Sequence, residues 1–562
     1  MLKGELCMRA KIISSLEKCF LDENVLSKPA LTSVSMLKNE RYSFQVCFDI
    51  EESLAVTKST KNIVYFHVES PLKEYIRMYR VQNIPSEMPV IPGSYDSNYL
   101  RTEPGLYPDL LQPMTEKTRL PARNSLLAVW LELDPQGAMP AGVYPLKGIF
   151  TNEAGEVETE VSIDVEIINA ELPAQELTYT QWFYADCLMQ YYNVEAYSEE
   201  HWRIIENFMT NARKYGQNMI LTPVLSPELD TYVGGYRPST QLVEIEVVNG
   251  EYKFDFSKLG RWVDTCDRVG IKYFEINHFF SQWGAKACPQ VHATVDGEKK
   301  RIFGWDTPSD SAEYKDFLGA LIPALLSYMK SKNGADQRCR FHVSDEPTLE
   351  NLDRYAFASG VLKPLLEGYP MMDALSRYEF YELGLVDCPI PCTNHIEPFL
   401  EHDVKNLWTY YCIGPSVDAS NRFFAMPAAR TRIIGTQFYK FDIVGFLQWG
   451  YNFYNSQYSY APINPFLCSD GECFAPSGDA YSVYPGLNGE PWPSLRQVVF
   501  HEALQDQRAL KLCESLYGRE YTMKLLEEGI EPITFMSYPK DSEYLLHLRR
   551  RVNEAIKAKV QV

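Results

Sequence analysis

Hydrophobic and polar positions alternate in short runs along the first third of the chain. Four such runs, separated by turn residues, are 42–48, 62–68, 125–133 and 161–167. Alternation with a period of two places one face of a strand on a core and the other toward solvent. Because helical stripes are few in this part, the pattern predicts an N-terminal β-sandwich over residues 1–170.

The rhythm changes after the segment 169–175, which we predict to be a hinge. Beyond it, short apolar runs alternate with helical patterns, as is typical of a parallel α/β domain. The predicted strands are 177–183, 218–224, 271–277, 339–343, 371–375, 389–394, 407–412 and 443–449. Eight strands in this rhythm predict a (β/α)8 TIM barrel over residues 171–516.

Helical patterns cover 311–330 and 348–366, and the last barrel helix is predicted within 494–516. The dipeptides Asn249-Gly250 and Asp296-Gly297 predict two β-hairpins inserted into the barrel. The remaining residues, 517–562, form a helical C-terminal segment that ends in a charged helix. We expect this helix to be a solvated cap of the barrel.

Composition limits the possible partners. The 562-residue chain has a formal net charge of −20 and a sequence pI near 5.0, which disfavours nucleic acid and anionic membrane surfaces. Its 13 cysteines are scattered without a disulfide framework, and the start of the chain has charges where a secretory leader would be apolar. These features predict a cytoplasmic protein that does not act at a membrane.

Two adjacent carboxyl groups, Asp345 and Glu346, follow the predicted fourth strand, and Pro347 prevents further ladder pairing after them. Other acidic pairs, such as Asp22-Glu23 and Glu527-Glu528, lie among polar neighbours or beside helical patterns. Barrel enzymes place their catalytic groups at the carboxyl ends of strands. The pair is therefore the leading candidate for an active site, with a strand-end ion pair or a helix N-cap as the structural alternative.

Consecutive strand residues point to opposite sides, so these two acids would approach a ligand from different directions. Glycosidases with two catalytic carboxyls hold them about 5 Å or more apart, which neighbouring residues achieve poorly. A sugar with a 2-acetamido group removes this difficulty, because its acetamide oxygen serves as the nucleophile. In that scheme Glu346 is the general acid/base and Asp345 polarises the acetamide.

Aromatic and polar side chains near the other predicted strand ends supply stacking and hydroxyl-binding groups. Core packing is the alternative for any single aromatic residue, and aromatic residues make up 13% of the chain. The residues predicted to bind substrate are Trp182, His278, Trp283, Asn394, Tyr410, Trp449, Tyr451 and Asn452. Together they favour a carbohydrate cleft at one face of the barrel.

Cofactor and metal motifs are missing from the sequence. It has no GxGxxG, GxxxxGK[ST] or GxSxG segment. His342, Asp345 and His395 have no metal-ligand spacing, and Cys388 and Cys392 lack matching ligands. We therefore expect neither a cofactor nor a catalytic metal.

Several segments resemble glycoside hydrolase family 123 and the wider group called domain of unknown function 4091. They are 344–347, 447–452, 478–486 with Gly489 and 494–496, and in the sandwich 40–46. The resemblance implies an N-terminal β-sandwich, a catalytic (β/α)8 barrel and exo-acting, retaining β-N-acetylgalactosaminidase activity by substrate-assisted catalysis. It also implies that Asp345 and Glu346 are the catalytic pair, and that the partner is a small glycan or glycoconjugate.

Two other functions stay open. A glycosidase of the same fold that acts on a sugar without an acetamide would need a separate nucleophile, such as Asp186 or Glu379. A carbohydrate-binding protein that has lost turnover is the other alternative, and it is disfavoured by the intact Asp345-Glu346 pair. The predicted cytoplasmic location would favour small imported glycans over polymers as substrates.

Overall fold

The computed structural model describes residues 8–50, 63–226 and 229–560. The chain divides into two compact units, which are Met1–Gln175 with Ser420–Lys440 and Trp492–Val562, and Glu176–Ala419 with Phe441–Pro491. The start of the chain and Asn62, which entered the predictions above, lie outside the described ranges. No helix in these ranges has the length and apolar character needed to cross a membrane.

The described part of the first unit contains two five-stranded sheets. Their strands are β1 Met8–Ser14, β2 Val34–Leu37, β3 Tyr42–Ile50, β4 Ile63–Glu69, β5 Ile76–Ser86, β6 Gly105–Met114, β7 Leu120–Pro121, β8 Leu127–Leu133, β9 Gly142–Asn152 and β10 Val157–Ile168. One sheet has the order β1-β3-β8-β5-β6 and the other has the order β2-β10-β9-β4-β7. Paired strands are antiparallel, except that β2 and β10 are parallel.

Apolar side chains from both sheets share one core, so the predicted N-terminal β-sandwich is confirmed. Phe48 of the first sheet and Phe66 of the second each pack against Phe150, with ring centroids 4.8 Å apart. Each fully buried Phe contributes about 1.5–3 kcal/mol relative to an exposed one. Gly148 makes this packing possible, because a Cβ there would lie 2.9 Å from the Phe66 ring.

The second unit contains all eight strands predicted for the α/β domain, each shorter than predicted. Its strands are β11 Thr178–Gln181, β12 Met219–Thr222, β13 Glu244–Val248, β14 Glu251–Asp255, β15 Tyr273–Ile276, β16 Val291–Val295, β17 Glu298–Phe303, β18 Cys339–Phe341, β19 Met372–Ala374, β20 Cys388–Ile390, β21 Trp408–Tyr410, β22 Gly445–Gln448 and β23 Val483–Pro485. Six of them form a sheet with the order β18-β15-β12-β11-β22-β21, and β19 pairs with β20. All these pairings are parallel, which confirms a parallel α/β domain.

Isolated parallel bridges connect the sheet to the separate strand pair. Phe341 bridges to Met371 on one side, and Cys392 bridges to Tyr410 on the other. Four further strands form a sheet with the order β14-β13-β16-β17. Its two hairpins turn at Asn249 and Asp296, which both have φ 53, and both hairpin predictions are confirmed.

Helices alternate with the strands of the second unit. They are α1 Ala185–Tyr192, α2 Glu199–Lys214, α3 Ser257–Val269, α4 Ala312–Ser331, α5 Leu352–Leu362, α6 Tyr378–Glu382 and α7 Glu397–Glu401. The hydroxyls of Ser198 and Ser311 accept N–H bonds from the first turns of α2 and α4. These N-caps explain why both helices begin where they do.

The remaining elements are α8 Ala428–Arg432, α9 Ile434–Lys440, β24 Pro491–Pro493, α10 Leu495–Tyr517, α11 Arg519–Leu526 and α12 Ser542–Val560. The range 494–516, predicted to hold the last barrel helix, is helical as α10, but this helix groups with the first unit and not with the parallel strands. Its Arg496 pairs with Asp109 of β6 at 2.7 Å. The expectation that the C-terminal helix is a solvated cap of the barrel was wrong. One face of α12 is buried within the first unit, where Arg549 donates to Glu40 and Asp506 at 2.6 and 3.0 Å.

Candidate active site

Asp345 and Glu346 lie in a bend after β18 and are both half-buried. Glu346 has φ 41, in the left-handed region that non-glycine residues seldom adopt. Its N–H donates to the carbonyl of Ala374 at 3.0 Å, and the Asp345 carbonyl accepts from the N–H of Trp283 at 2.8 Å. Strained residues persist where their surroundings fix them, and they cluster at functional sites. The backbone of the pair is therefore fixed from both neighbouring strand ends.

A buried carboxylate ends the strand that leads to this pair. The ladder of β18 stops at Phe341, two residues before the predicted end. The N–H groups of Val343 and Ser344 donate instead to the Asp373 carboxylate, at 3.2 and 3.1 Å. Asp373 of β19, and not Pro347, therefore explains where the strand ends.

The Glu346 carboxylate is held by a residue from another strand. The Tyr410 hydroxyl at the end of β21 donates to Glu346 Oε1 at 2.5 Å, and Cys412 Sγ lies 4.0 Å from the same oxygen. Burial, followed by the Glu346 charge, raises the pKa of Tyr410 well above its usual range. Tyr410 therefore keeps its proton and remains a donor. The structure thus brings one predicted substrate-binding residue to the acidic pair.

A third carboxyl group lies within electrostatic range of the pair. Burial, and after it the charges of Glu346 and Asp230, raise the pKa of Asp345 well above its usual range. Asp230 lies in the loop after β12, and burial together with the charges of Glu346 and Asp479 raises its pKa to about 7. Several acids in one small region cannot all ionise without cost, so this region gains or loses protons near neutral pH.

A buried imidazolium lies on the chain just before the pair. His342 donates from Nδ1 to Asp373 at 2.9 Å and from Nε2 to Glu275 at 2.8 Å, and all three side chains are fully buried. Burial opposes a charge on this ring, but the two carboxylates outweigh it and raise the pKa of His342 to about 10. A positive charge is therefore fixed close to Asp345, where it favours the ionised carboxylate.

Two of the predicted aromatic residues surround this imidazolium. The Trp182 indole N–H donates to Glu275 Oε1 at 2.7 Å, and the Trp182 ring meets the His278 ring edge to face at 5.3 Å. His278 stacks on His342 with centroids 4.2 Å apart, and burial and the His342 charge lower its pKa well below its usual range. His278 is therefore neutral. Neither of its ring nitrogens has a hydrogen-bond partner among the described residues, and both are buried.

The same residues include a possible set of metal ligands. In the described ranges, ligand atoms of His278, His342 and Asp373 lie within 4.8 Å of one another. Both ring nitrogens of His342 are hydrogen-bonded to carboxylates, however. A protonated, doubly donating imidazole has no lone pair for a metal. The geometry therefore fits a buried ion pair better than a metal site.

Trp449 follows β22 and is anchored by an acid that the sequence analysis did not select. Its indole N–H donates to Asp479 Oδ2 at 2.7 Å, and its ring packs against Phe453 and Phe474. Only 8% of Trp449 is exposed. Asp479 acts electrostatically on Asp230 and Cys412, as Glu346 also does, so this strand end belongs to the same acidic region.

Two predicted substrate-binding residues instead have their polar atoms engaged within the protein. The Asn452 amide makes two 2.9 Å hydrogen bonds to the backbone of Tyr184. The Tyr451 hydroxyl donates to the Phe208 carbonyl at 2.9 Å and also contacts Asn211. Because Asn452 and Tyr451 are fully buried, these bonds speak against a substrate contact for either residue.

The remaining candidates are partly exposed or form contacts that do not involve the side chains of the acidic pair. Asn394 is half-buried, and its Oδ1 lies 2.8 Å from His395 Nδ1. Trp283 is 40% exposed and adjoins Asp345 through its N–H. Asp186, one of the two alternative nucleophiles, forms a buried ion pair with Arg237 at 2.8 Å. The other, Glu379, is half-buried on the short helix α6.

Sequence reasoning missed Asp230, Glu275, Asp373 and Asp479. Three of them are single acids in an acidic chain, and no local pattern marks them. Asp479 had a signal, because it lies in the segment 478–486 on which the family resemblance rests. Important partners of these acids lie far along the chain, 30 residues away in the Trp449–Asp479 bond and 67 residues away in the Glu275–His342 bond.

Paired carboxyls and buried aromatic rings at the carboxyl ends of parallel strands define a class of site that many glycoside hydrolases use. Residues 182–513 match the glycoside hydrolase 123 catalytic domain. This match covers more than half of the 562 residues, and the chain belongs to that family. The protein is therefore a glycoside hydrolase of family 123.

One solved structure agrees with this fold. A family 123 glycoside hydrolase from Clostridium perfringens, studied for glycolipid glycan hydrolysis, is 13% identical and has a TM-score of 0.73, with 99% of this chain and 98% of that chain covered. At this identity the likeness establishes the fold. A family 2 glycosyl hydrolase from Bacteroides cellulosilyticus is also 13% identical, with 81% of this chain and 47% of that chain covered. Its TM-score is only 0.26, which is too low to show a shared fold. No curated protein sequence matches the chain.

Proposed function

We propose that this protein is an exo-acting, retaining hydrolase that removes terminal β-N-acetylgalactosamine by substrate-assisted catalysis. Glu346 is the general acid/base, and Asp345 orients the 2-acetamido group. The observation that carries the proposal is the fixed left-handed bend at Glu346, with its carboxylate 2.5 Å from the Tyr410 hydroxyl and next to Asp345. Adjacent acids suit this mechanism, because the substrate supplies the nucleophile.

In the first step Glu346 donates its proton to the glycosidic oxygen while the acetamide oxygen attacks the anomeric carbon. The bond from that carbon to the aglycone breaks, and an oxazolinium ion forms. Asp345 accepts the acetamide N–H and stabilises the positive charge that develops on the ring. In the second step Glu346 takes a proton from water, whose oxygen attacks the anomeric carbon and opens the ring. Two inversions leave the configuration retained.

The surroundings support these roles. Tyr410 orients the Glu346 carboxylate, and the His342 imidazolium favours the ionised form of Asp345 against the effect of burial. His278, which stacks on His342, is also proposed to lie at the sugar subsite. Trp182 and Trp449, at the ends of neighbouring strands, are proposed to line the sugar subsite.

The proposed substrates are small glycans or glycoconjugates with a terminal 2-acetamido sugar. The Clostridium perfringens enzyme was studied for hydrolysis of glycolipid glycans, which makes such glycans the first candidates here. We also propose that the eight parallel strands close into a (β/α)8 barrel. The bridges from Phe341 to Met371 and from Cys392 to Tyr410 support that closure.

Hydrolysis of an aryl N-acetyl-β-galactosaminide by the purified protein tests the activity, and its gluco epimer tests the sugar. Glu346→Gln and Asp345→Asn should each lower kcat by about 10²–10⁴-fold. Glu350→Gln is a matched control, because Glu350 is exposed four residues after Glu346. Absence of turnover on both sugars by folded protein would refute the proposal.

The nucleophile is tested separately by substrates with one, two or three fluorines on the acetamide methyl group. Fluorine withdraws electrons from the acetamide oxygen, so kcat should fall with each substitution. Unchanged rates across the series would point to a protein nucleophile. Full activity of Asp345→Asn on an acetamide-free sugar would support that alternative.

A further inference from the structure

Four aromatic side chains on three loops of the second unit form a continuous row of ring contacts. The Tyr232 and Tyr460 rings stack with centroids 4.6 Å apart and planes 11° apart. The Tyr458 ring meets Tyr460 edge to face at 6.4 Å and meets Trp283 edge to face at 5.8 Å. We call these four residues the aromatic row. They come from the loops after β12, β15 and β22. In the parallel sheet β15 and β12 are neighbours, and β11 lies between β12 and β22.

The row is exposed although its rings are large and apolar. Exposed fractions are 41% for Tyr232, 40% for Trp283 and 68% for Tyr460. Val233, beside the row, is 78% exposed. Contiguous exposed apolar surface on a folded protein marks a binding site more often than scattered residues do.

The loops hold these rings in place by specific backbone bonds. The Tyr232 N–H donates to the Tyr458 carbonyl at 3.1 Å, and the Ser459 hydroxyl donates to the Asp230 carbonyl at 2.7 Å. A Cβ on Gly235 would lie 2.5 Å from the Tyr232 ring, so a larger residue there would displace this ring. The geometry of the row is therefore built into the loops before any ligand binds.

Backbone strain points to the same conclusion. Trp283, Tyr458 and Ser459 have φ values of 55, 55 and 57, in the left-handed region. Three strained non-glycine residues in one small region are costly, and such residues collect where a function requires a fixed geometry. Two of these three residues, Trp283 and Tyr458, are in ring contact with each other.

The row adjoins the candidate catalytic pair. Trp283 donates its N–H to the Asp345 carbonyl at 2.8 Å. Asp230, two residues before Tyr232, acts electrostatically on Asp345, and the charge of Glu346 acts on Asp230. A ligand that reacts at the pair and extends beyond it therefore has an aromatic surface next to it. Rigid Tyr and Trp side chains combine apolar faces with polar edges, which suits the C–H faces and hydroxyls of pyranose rings.

We propose that the aromatic row binds the sugar rings on the leaving-group side of the scissile bond, so that the preferred substrate is an oligosaccharide rather than a simple glycoside. This inference rests on the proposed function, because it assigns the scissile bond to the Asp345-Glu346 pair. A sugar fits better than a lipid surface, since the chain has a net charge of −20 and Asp230 lies beside the row.

The test compares two substrates, methyl N-acetyl-β-galactosaminide and a neutral trisaccharide with the same sugar at its non-reducing end. In Tyr460→Ala, the ratio of kcat/KM for the trisaccharide to kcat/KM for the methyl glycoside should fall about tenfold. Tyr460→Phe keeps the ring and should restore the ratio. Tyr521→Ala is the matched control, because Tyr521 is 42% exposed and also stacks on another tyrosine, Tyr517.

A binding measurement separates this inference from the proposed function. Calorimetric titration of the trisaccharide into Glu346→Gln protein, with and without Tyr460→Ala, should show about tenfold weaker binding without the ring. Binding that depends on Tyr460 without turnover by the unmodified protein would overturn the proposed function and keep a sugar site at the row. Hydrolysis with an unchanged ratio would overturn the inference alone. The inference would also be overturned if Tyr460→Ala weakened binding to phosphatidylcholine vesicles but left the ratio of the two kcat/KM values unchanged.

Discussion

Asp373 joins the His342 imidazolium to the backbone that carries the candidate catalytic pair. Replacing Asp373 should therefore lower the free energy of unfolding substantially. The side chain is fully buried. Its Oδ1 accepts from His342 Nδ1 and Val343 N, and its Oδ2 accepts from Ser344 N and the Tyr355 hydroxyl. Asp373→Asn keeps the shape but replaces one acceptor oxygen with a donor.

The magnitude follows from this count of bonds. Whichever way the new amide is oriented, two of the four donors face an NH2 group and lose their acceptor. A buried donor without a partner costs about 1–3 kcal/mol, so the free energy of unfolding should fall by about 2–6 kcal/mol. Total stabilities are about 5–15 kcal/mol, so the loss should be large.

Urea unfolding followed by tryptophan fluorescence measures the change, since Trp182 lies beside the network. Asp353→Asn is the matched control, because Asp353 is exposed on α5. The control should stay within about 0.5 kcal/mol of the unmodified protein. The same small change in Asp373→Asn would refute the view that this carboxylate stabilises the strand end.

Three further predictions concern pH and hydrogen bonding. Asp230→Asn removes a charge that raises the pKa of Asp345, so the acid limb of the pH profile of kcat/KM should move to lower pH. An unmoved limb would contradict the electrostatic effect of Asp230 on Asp345. The pKa of His342 is raised from 6.5 to about 10 in the folded state, so its contribution to stability should be complete below pH 6.5 and lost as pH rises through 10. Urea midpoints across that range should fall less in His342→Gln, and equal slopes would contradict the ion pair. Tyr410→Phe removes a hydrogen bond to a carboxylate and should lower kcat/KM by about 10- to 100-fold, whereas unchanged kinetics would show that Tyr410 does not orient Glu346.

Local pattern was enough for four of the ten described strands of the sandwich, for the eight parallel strands and for the two hairpins. Strands of the sandwich and of the parallel sheet follow from apolar periodicity, and the hairpins at Asn249 and Asp296 follow from residues that tolerate positive φ. Element ends were less predictable. The strand before the catalytic pair stops early because Asp373, 30 residues further along the chain, takes the N–H of Val343.

Position along the chain likewise identified some candidate site residues, but it did not predict their contacts. Asp345, Glu346 and Trp449 could be selected because they follow predicted strands, and strand ends share one edge of a parallel sheet. The same reasoning also selected Asn452, whose amide is engaged by the Tyr184 backbone. Position along a strand shows which edge a residue occupies, but not what its polar atoms contact.

By itself, the sequence determined the succession of a sandwich and a parallel α/β domain and the adjacent acids at a strand end. Periodicity and adjacency are properties of neighbouring residues, so they can be read without a fold. Only the tertiary structure decided that Tyr410 binds Glu346 across 64 residues, that His342 is charged between two carboxylates, and that Asp230 joins the acidic region. Charge and hydrogen bonding depend on distance in space, which folding alone supplies.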